Sequence, residues 1–161
     1  MDDTATASTP IRAPHGIFGA RVDDKGRLKL PADLREYILR FGEKTVFITS
    51  LDLVIARIYP NRIWENNQKI LDEFTEDPDS AADVAFTAND LGADSEMDDQ
   101  GRVLIPQELR QLLAIENQPV WLEVYQGGIN VYGKAIYDER KKRSQEGRAE
   151  KLRLLRKKGF K

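Results

Sequence analysis

Two short stretches of this chain carry charged residues whose types and spacing suit recognition of a phosphate-rich polymer. Lys25, Arg27 and Lys29 place three cations within five residues, directly after Asp23 and Asp24 and around Gly26. Asp98, Asp99, Gly101 and Arg102 set out the same pattern, with Gln100 where the first stretch has Lys25. Arg and Lys dominate contacts to nucleic-acid phosphates, and one guanidinium can grip a guanine edge through two hydrogen bonds. A plainer role is open to the same residues, in which Arg27 and Arg102 pair with Asp23 and Asp98 inside the fold.

The two stretches are copies. Residues 22–38 read VDDKGRLKLPADLREYI and residues 97–113 read MDDQGRVLIPQELRQLL, at a constant offset of 75 and with seven of seventeen positions identical. The identities include Asp23/Asp98, Gly26/Gly101, Arg27/Arg102, Pro31/Pro106 and Arg35/Arg110. Two copies are too few for a solenoid, so they imply two half-domains related by a pseudo-two-fold axis.

Each copy has the same local grammar. Asp-Asp-x-Gly is turn chemistry, since Asp tolerates unusual backbone angles and Gly26 and Gly101 take positive φ. Strand-like runs lie before it, at Phe18–Val22 and 92–97, and after it, at Arg27–Leu30 and Arg102–Ile105, which predicts a β-hairpin with Arg at the turn exit. Pro31 and Pro106 stand where a first helical residue would. The helices that follow place Leu34, Ile38 and Phe41 on one face, and Leu109, Leu112 and Leu113 on another. Arg35 and Arg110 lie near those apolar faces, where a structural role is expected. Further on, Thr45–Thr49 and Val54–Tyr59 read as strands, then a helix from Pro60 to about Phe74 with Ile63, Ile70 or Leu71, and Phe74 as its stripe. In the second copy Val120–Tyr125 and Ile129–Tyr132 flank Gln-Gly-Gly, and a last helix starts near Lys134. The expected class is therefore α+β, each half running hairpin, helix, hairpin, helix. The boundaries are a disordered tail over 1–13, a first half over 14–76, an acidic linker helix over 77–91, a second half over 92–143 and a basic tail over 144–161.

Charge is distributed unevenly along the chain. The net charge is −2, mildly against a nucleic-acid partner, yet residues 72–99 hold eleven acids and no base, and residues 134–161 hold twelve bases and four acids. A partner feels the field within a Debye length of about 8 Å, not the sum. The absence of cysteine excludes disulfide and thiolate chemistry and fits a cytoplasmic setting. The start, MDDTATASTPIRAP, has neither the basic residues nor the apolar core of a signal peptide, and no run is long enough to span a membrane.

The paired D-x-x-x-R motifs, Asp23–Arg27 and Asp98–Arg102, resemble those of the MraZ family. The longer pattern D-x-K-G-R-x-x-x-P-x-x-x-R at Asp23–Arg35 and the segment Ile58-Tyr-Pro-x-x-x-Trp64-Glu65 are also similar to that family, over about residues 14–140. The resemblance implies two fused AbrB-like, swapped-hairpin halves, ring-shaped homo-oligomers, and regulation of the bacterial cell division and cell wall gene cluster through direct repeats in its promoter. Carried over by position, it nominates Lys25, Arg27 and Arg102 as contacts to double-stranded DNA, joined by Lys29 from the local charge pattern. Asp23, Gly26, Pro31, Arg35, Asp98, Gly101, Pro106 and Arg110 are then motif or structural positions. The chain departs from the family in its extra N-terminal tail, in an acidic rather than basic segment between the halves, and in a longer, more basic C-terminal tail. For that tail, residues 140–161, three roles are open: a frayed helix end, a phosphate clamp or a subunit contact.

Other chemistries find little footing. Gly128 to Ala135 nearly spells a phosphate-binding loop, but Ala135 lacks the hydroxyl that would hold Mg²⁺ and the residues between the glycines are strand-like. Asp94-x-Glu96-x-Asp98 starts like a calcium loop, but Asp99 and Ile105 stand where Gly and Glu are required. His15 is the only histidine, so neither a zinc site nor a histidine-based triad can be assembled. No catalytic residue, metal or cofactor is expected. The alternative to a nucleoid-associated DNA-binding regulator is a ring-forming interaction protein of the same fold.

Overall fold

A computed structural model describes residues 10–161, so most of the expected N-terminal tail lies outside the described residues. The protein is α+β, with a six-stranded and a two-stranded antiparallel sheet. The elements run β1 (Ile17–Arg21), β2 (Arg27–Lys29), α1 (Ala32–Leu39), β3 (Thr45–Thr49), β4 (Ala56–Pro60), α2 (Asn61–Glu73), α3 (Pro78–Leu91), β5 (Ala93–Glu96), β6 (Arg102–Leu104), α4 (Gln107–Leu112), β7 (Pro119–Tyr125), β8 (Gly128–Tyr132), α5 (Lys134–Gln145) and α6 (Arg148–Arg156).

The strand order of the larger sheet is β1-β7-β8-β4-β3-β5. It interleaves strands from the two repeat copies. β1 pairs with β7, Gly19 opposite Trp121, and β5 pairs with β3, Asp94 opposite Phe47. The sequence led us to expect each Asp-Asp-x-Gly turn to close a local hairpin. The turn forms, but β1 and β2 meet only at a single bridge between Val22 and Leu28. β2 pairs instead with β6, Leu28 opposite Val103. A strand of three residues gains more from a partner that also buries its apolar side chain, and both Leu28 and Val103 are buried. The second pair of strands does form true hairpins. β7 and β8 are joined by Gln126-Gly127, with φ of 51° and 85°, the double positive φ of a tight two-residue connection.

One core serves both copies of the repeat. It contains Val22, Leu28, Leu30, Leu34 and Ile38 together with Met97, Val103, Ile105 and Leu109, closed by Ile48, Ile58, Val120, Leu122, Ile129 and Val131 of the larger sheet. Leu34 and Ile38 meet it as expected, whereas Phe41 lies past the end of α1 and is buried outside this cluster, its ring edge-on to Tyr37. Leu112 does not: it is exposed, because α4 ends there and the chain reverses at Ala114 (φ 55°), sending Ile115 inward in its place. Pro31 and Pro106 also stand one position earlier than expected. Their ψ values of 153° and 140° keep them outside the helix, and their carbonyls accept the first helical bonds, from Arg35 and Arg110.

A second apolar cluster fixes the helical pair α2–α3. Trp64 lies between Phe47 and Tyr59, ring centroids 4.7 and 5.0 Å away, and Ala88 of α3 closes the cluster. Thr49 donates to the Ala88 carbonyl at 2.7 Å. A helix does occupy most of the acidic stretch 77–91: it is α3, capped by the Asp77 side chain on the Ser80 amide. The last helix is broken. α5 stops at Gln145, Gly147 takes φ 62°, and α6 begins at Arg148. No helix among the described residues is long and apolar enough to cross a membrane. Trp64→Ala should cost about 3–5 kcal/mol of stability in a urea titration, the range for emptying a buried aromatic site. A loss below 1 kcal/mol would mean that the α2–α3 pair is held by something other than this cluster.

Candidate nucleic-acid interface

The two Asp-x-x-x-Arg loops have the same internal geometry. In the first, Asp23 Oδ1 accepts from the amides of Lys25 (2.9 Å) and Arg27 (2.8 Å), and Oδ2 accepts from Arg27 Nε at 3.0 Å. In the second, Asp98 Oδ1 accepts from the amides of Gln100 (2.9 Å) and Arg102 (2.8 Å), and Oδ2 from Arg102 Nε at 2.7 Å. The backbone closes each turn the same way: Asp23 and Asp98 amides donate to the Arg27 and Arg102 carbonyls, and Gly26 and Gly101 amides donate back to the aspartate carbonyls. Gly26 and Gly101 hold φ of 83° and 77°, which a side chain would resist. The Asp, Gly and Arg shared by the two copies are thus one device, in which a carboxylate builds the turn and then fixes the arginine that leaves it.

Donated hydrogen bonds also set the charge. The Arg27 amide above all holds the Asp23 carboxyl below the usual carboxylate range, against partial desolvation and with help from the Lys25 amide. The Arg102 amide does the same for Asp98, again against desolvation. Each arginine spends its Nε on the aspartate, and its two Nη groups make no hydrogen bond among the described residues. The pairing anticipated as a purely structural role therefore occurs, but it leaves the fork of the guanidinium unspent. The Arg27 side chain is 35% exposed and that of Arg102 is 27% exposed.

The strand pairing brings the two loops together. In the β2–β6 ladder Leu28 and Val103 face the core, so Arg27, Lys29, Arg102 and Leu104 share the outward face, with Arg27 opposite Leu104 and Lys29 opposite Arg102. Lys25 is exposed at the tip of the first loop. All four sequence-nominated cations thus gather on one ribbon. Leu104, in the position equivalent to Lys29, was not nominated. Its exposure on a charged face became visible only once the register was known.

Each loop is completed by the other copy. The Leu30 amide donates to the Gly101 carbonyl at 2.9 Å, and the Ile105 amide donates to the Gly26 carbonyl at 3.0 Å. Arg35 of α1 reaches across to the Gln100 carbonyl at 2.6 Å and lies against Gly101. Arg110 of α4 lies against Gly26, donates to its own copy's Ile105 carbonyl and pairs with Glu116 at 3.7 Å. A Cβ on either glycine would collide with the guanidinium packed over it. Sequence reasoning put Arg35 and Arg110 near an apolar face. It missed that each closes the partner loop, although their identity at the common offset was the available signal.

Two outcomes follow from this geometry. Gly26→Ala and Gly101→Ala should each destabilise the fold by about 1–3 kcal/mol, the cost of a side chain in the left-handed region, measured as a shift in urea midpoint at constant slope. The lowered carboxyl values give a pH dependence of definite sign. The loop stabilisation is fully present above the ordinary aspartate value of 3.8 and is lost as pH falls through the lower folded value. Carboxyl NMR titration should give midpoints below 3.8 for Asp23 and Asp98; a midpoint above it for either would contradict the hydrogen-bond assignment.

Comparison with known proteins gives the family. No family model matches the chain. Curated relatives do: the transcriptional regulator MraZ of Acidobacterium capsulatum is 42% identical over 96 residues, covering 60% of this chain and 66% of the relative. Its namesake in Koribacter versatilis is 38% identical over 104 residues, covering 64% of this chain and 71% of the relative. The one in Caldanaerobacter subterraneus is 32% identical over 127 residues, covering 77% and 83%. With two copies of the Asp-x-x-x-Arg loop and relatives of this identity and coverage, the chain belongs to the MraZ family of transcriptional regulators.

Proposed function

We propose that this protein regulates transcription by binding double-stranded promoter DNA through the outward face of the β2–β6 ribbon. The observation that carries the reading is the pair of arginines, Arg27 and Arg102, each held by an aspartate through Nε with its Nη fork free, on one ribbon with Lys29 and beside Lys25. A two-stranded ribbon fits the major groove of B-DNA, and an arginine whose rotamer is already fixed loses little entropy on gripping a guanine edge. Lys25 and Lys29 add phosphate contacts that set register without reading sequence. Asp23, Gly26, Asp98 and Gly101 shape the loops, Pro31 and Pro106 launch the helices behind them, and Arg35 and Arg110 brace them. The chemistry is recognition, with no catalytic, metal or cofactor role assigned.

The interleaved strand order supports reading residues 14–76 and 92–143 as two pseudo-symmetric, swapped-hairpin halves joined by the acidic helix over 77–91. We assign the regulated promoter to the cell division and cell wall gene cluster by family resemblance, and the protein to the nucleoid in the cytoplasm. Ring-shaped self-assembly would present many ribbons at intervals. Subunits docked head to tail along a duplex match direct repeats near one helical turn, about 10 bp apart, rather than a single palindrome.

The test is binding of the purified full-length protein to DNA upstream of its own gene. Arg27→Ala should weaken binding about 5- to 150-fold for each bidentate pair lost, the equivalent of about 1–3 kcal/mol, while the far-UV circular dichroism stays unchanged. Arg102→Ala should weaken it less, because Gln100 offers no neighbouring cation. Wild-type affinity in Arg27→Ala would rule out the ribbon as the reading head. Binding of no DNA by an intact assembly would instead favour an interaction protein of the same fold. Footprints on the bound promoter should show repeated protections, and cutting the site to one repeat should abolish most of the affinity through lost avidity.

A further inference from the structure

Helices α2 and α3 form a pair whose outer end is not covered. The stripe expected to bury Ile70 and Phe74 leaves them 57% and 40% exposed, and Val84 of α3 is 45% exposed. Together with Leu71, Ser80 and Ala81 they line an open groove of about 200 Å³. Acids rim it: Asp72 and Glu73 at the end of α2, Glu76 and Asp77 in the connection, Asp79 and Asp83 on α3. The whole stretch 72–99 holds eleven acids and no base.

Helix α6 has the opposite character. It is nine residues long and buries none of them. Isolated helices shorter than about 12–15 residues are marginal in water, so a nine-residue helix with no buried face has stability to gain from a partner. Leu152 and Leu155 stand three apart and share a face, while residues 148–161 carry seven bases and one acid. That acid, Glu150, is already paired with Arg153 at 2.5 Å. An amphipathic helix laid into an apolar groove is a common recognition mode, and here the rim charges are complementary as well.

We propose that α6 of one copy seats in the α2–α3 groove of a second copy and joins subunits head to tail. A second copy is required because one chain holds the two surfaces apart. α2 and α3 pack on β3, α5 packs on β7, and β4 and β8 lie between those strands. No ion pair links residues 134–161 to residues 72–99 among the described residues. Two different surfaces on one chain make a heterologous contact, which repeats from copy to copy and closes into a ring where the rotation allows. The contact supplies a physical basis for the self-assembly proposed above and leaves DNA recognition independent of it.

The experiment compares particle mass by light scattering for three full-length proteins. They are the wild type, a tail variant (Leu152→Asp with Leu155→Asp) and a groove variant (Ile70→Glu with Val84→Glu). None of the four side chains is buried, and circular dichroism and thermal melting check that each variant folds. The wild type should assemble, with the assembly weakening as salt rises. Each variant alone should be monomeric. An equal mixture of the two should form dimers and nothing larger, because only one intact tail then meets one intact groove. A monomeric wild type would overturn both self-assembly and this contact. Wild-type mass in either folded variant, or no dimer in the mixture, would overturn the contact while leaving self-assembly standing. A tail variant of unchanged mass whose DNA binding shows a flatter salt dependence would assign the tail to phosphates instead.

Discussion

Everything on the ribbon depends on the reciprocal closure of its two loops. The Leu30 amide is satisfied by Gly101, and the Ile105 amide by Gly26. Backbone groups at the edge of a core must be paired, and here each copy supplies the group the other lacks. The braces cross in the same way, Arg35 over Gly101 and Arg110 over Gly26. The closure gives a role to several of the residues shared at the offset of 75: aspartate (Asp23, Asp98) for the turn, glycine for a left-handed backbone under a packed guanidinium, proline ahead of the helix, and arginine (Arg35, Arg110) for the opposite loop. A change in any one is felt by the other copy as well as by its own.

The same closure concentrates charge where a free-standing sheet would avoid it. Lys29 and Arg102 face each other across the ladder. Like charges directly opposite are unfavourable in a strand pair. Burial of Leu28 and Val103 beneath them and the aspartates at the loop mouths offset that cost. A surface that keeps cations together at some expense in stability is coherent with the anionic partner proposed above, and aspartates that take only the Nε of each guanidinium neutralise part of the field while leaving both Nη groups free among the described residues.

Much of this was legible in the residues. The repeat located both loops, and Asp-x-x-x-Arg with glycine in between defined their chemistry. Apolar spacing at Leu34 and Ile38 found a core-facing helix, though Phe41, expected on the same face, lies beyond its end, and Gln-Gly-Gly marked the tight hairpin. What escaped was everything decided by contacts between the copies. Local propensity describes a strand, a turn and a strand equally well whether the strands pair with each other or with distant partners, so the β1–β7 and β2–β6 ladders were not readable. Nor was the exposure of Leu104, Leu112, Ile70 or Phe74, because a periodic pattern shows that a face is apolar and not whether something lies against it. The positive φ at Ala114, which ends the α4 register and sends Ile115 inward, has no glycine to announce it.

The sharing of each loop between distant residues also constrains how the chain is made. The first loop, ready in sequence by Leu30, takes its final bonds from Ile105 and its brace from Arg110, and β1 beside it pairs with β7 at Pro119–Tyr125. On a ribosome adding about 5–20 residues per second, those partners arrive on the order of ten seconds after the loop itself. Until then the nascent chain carries a charged turn between two unpaired strand edges.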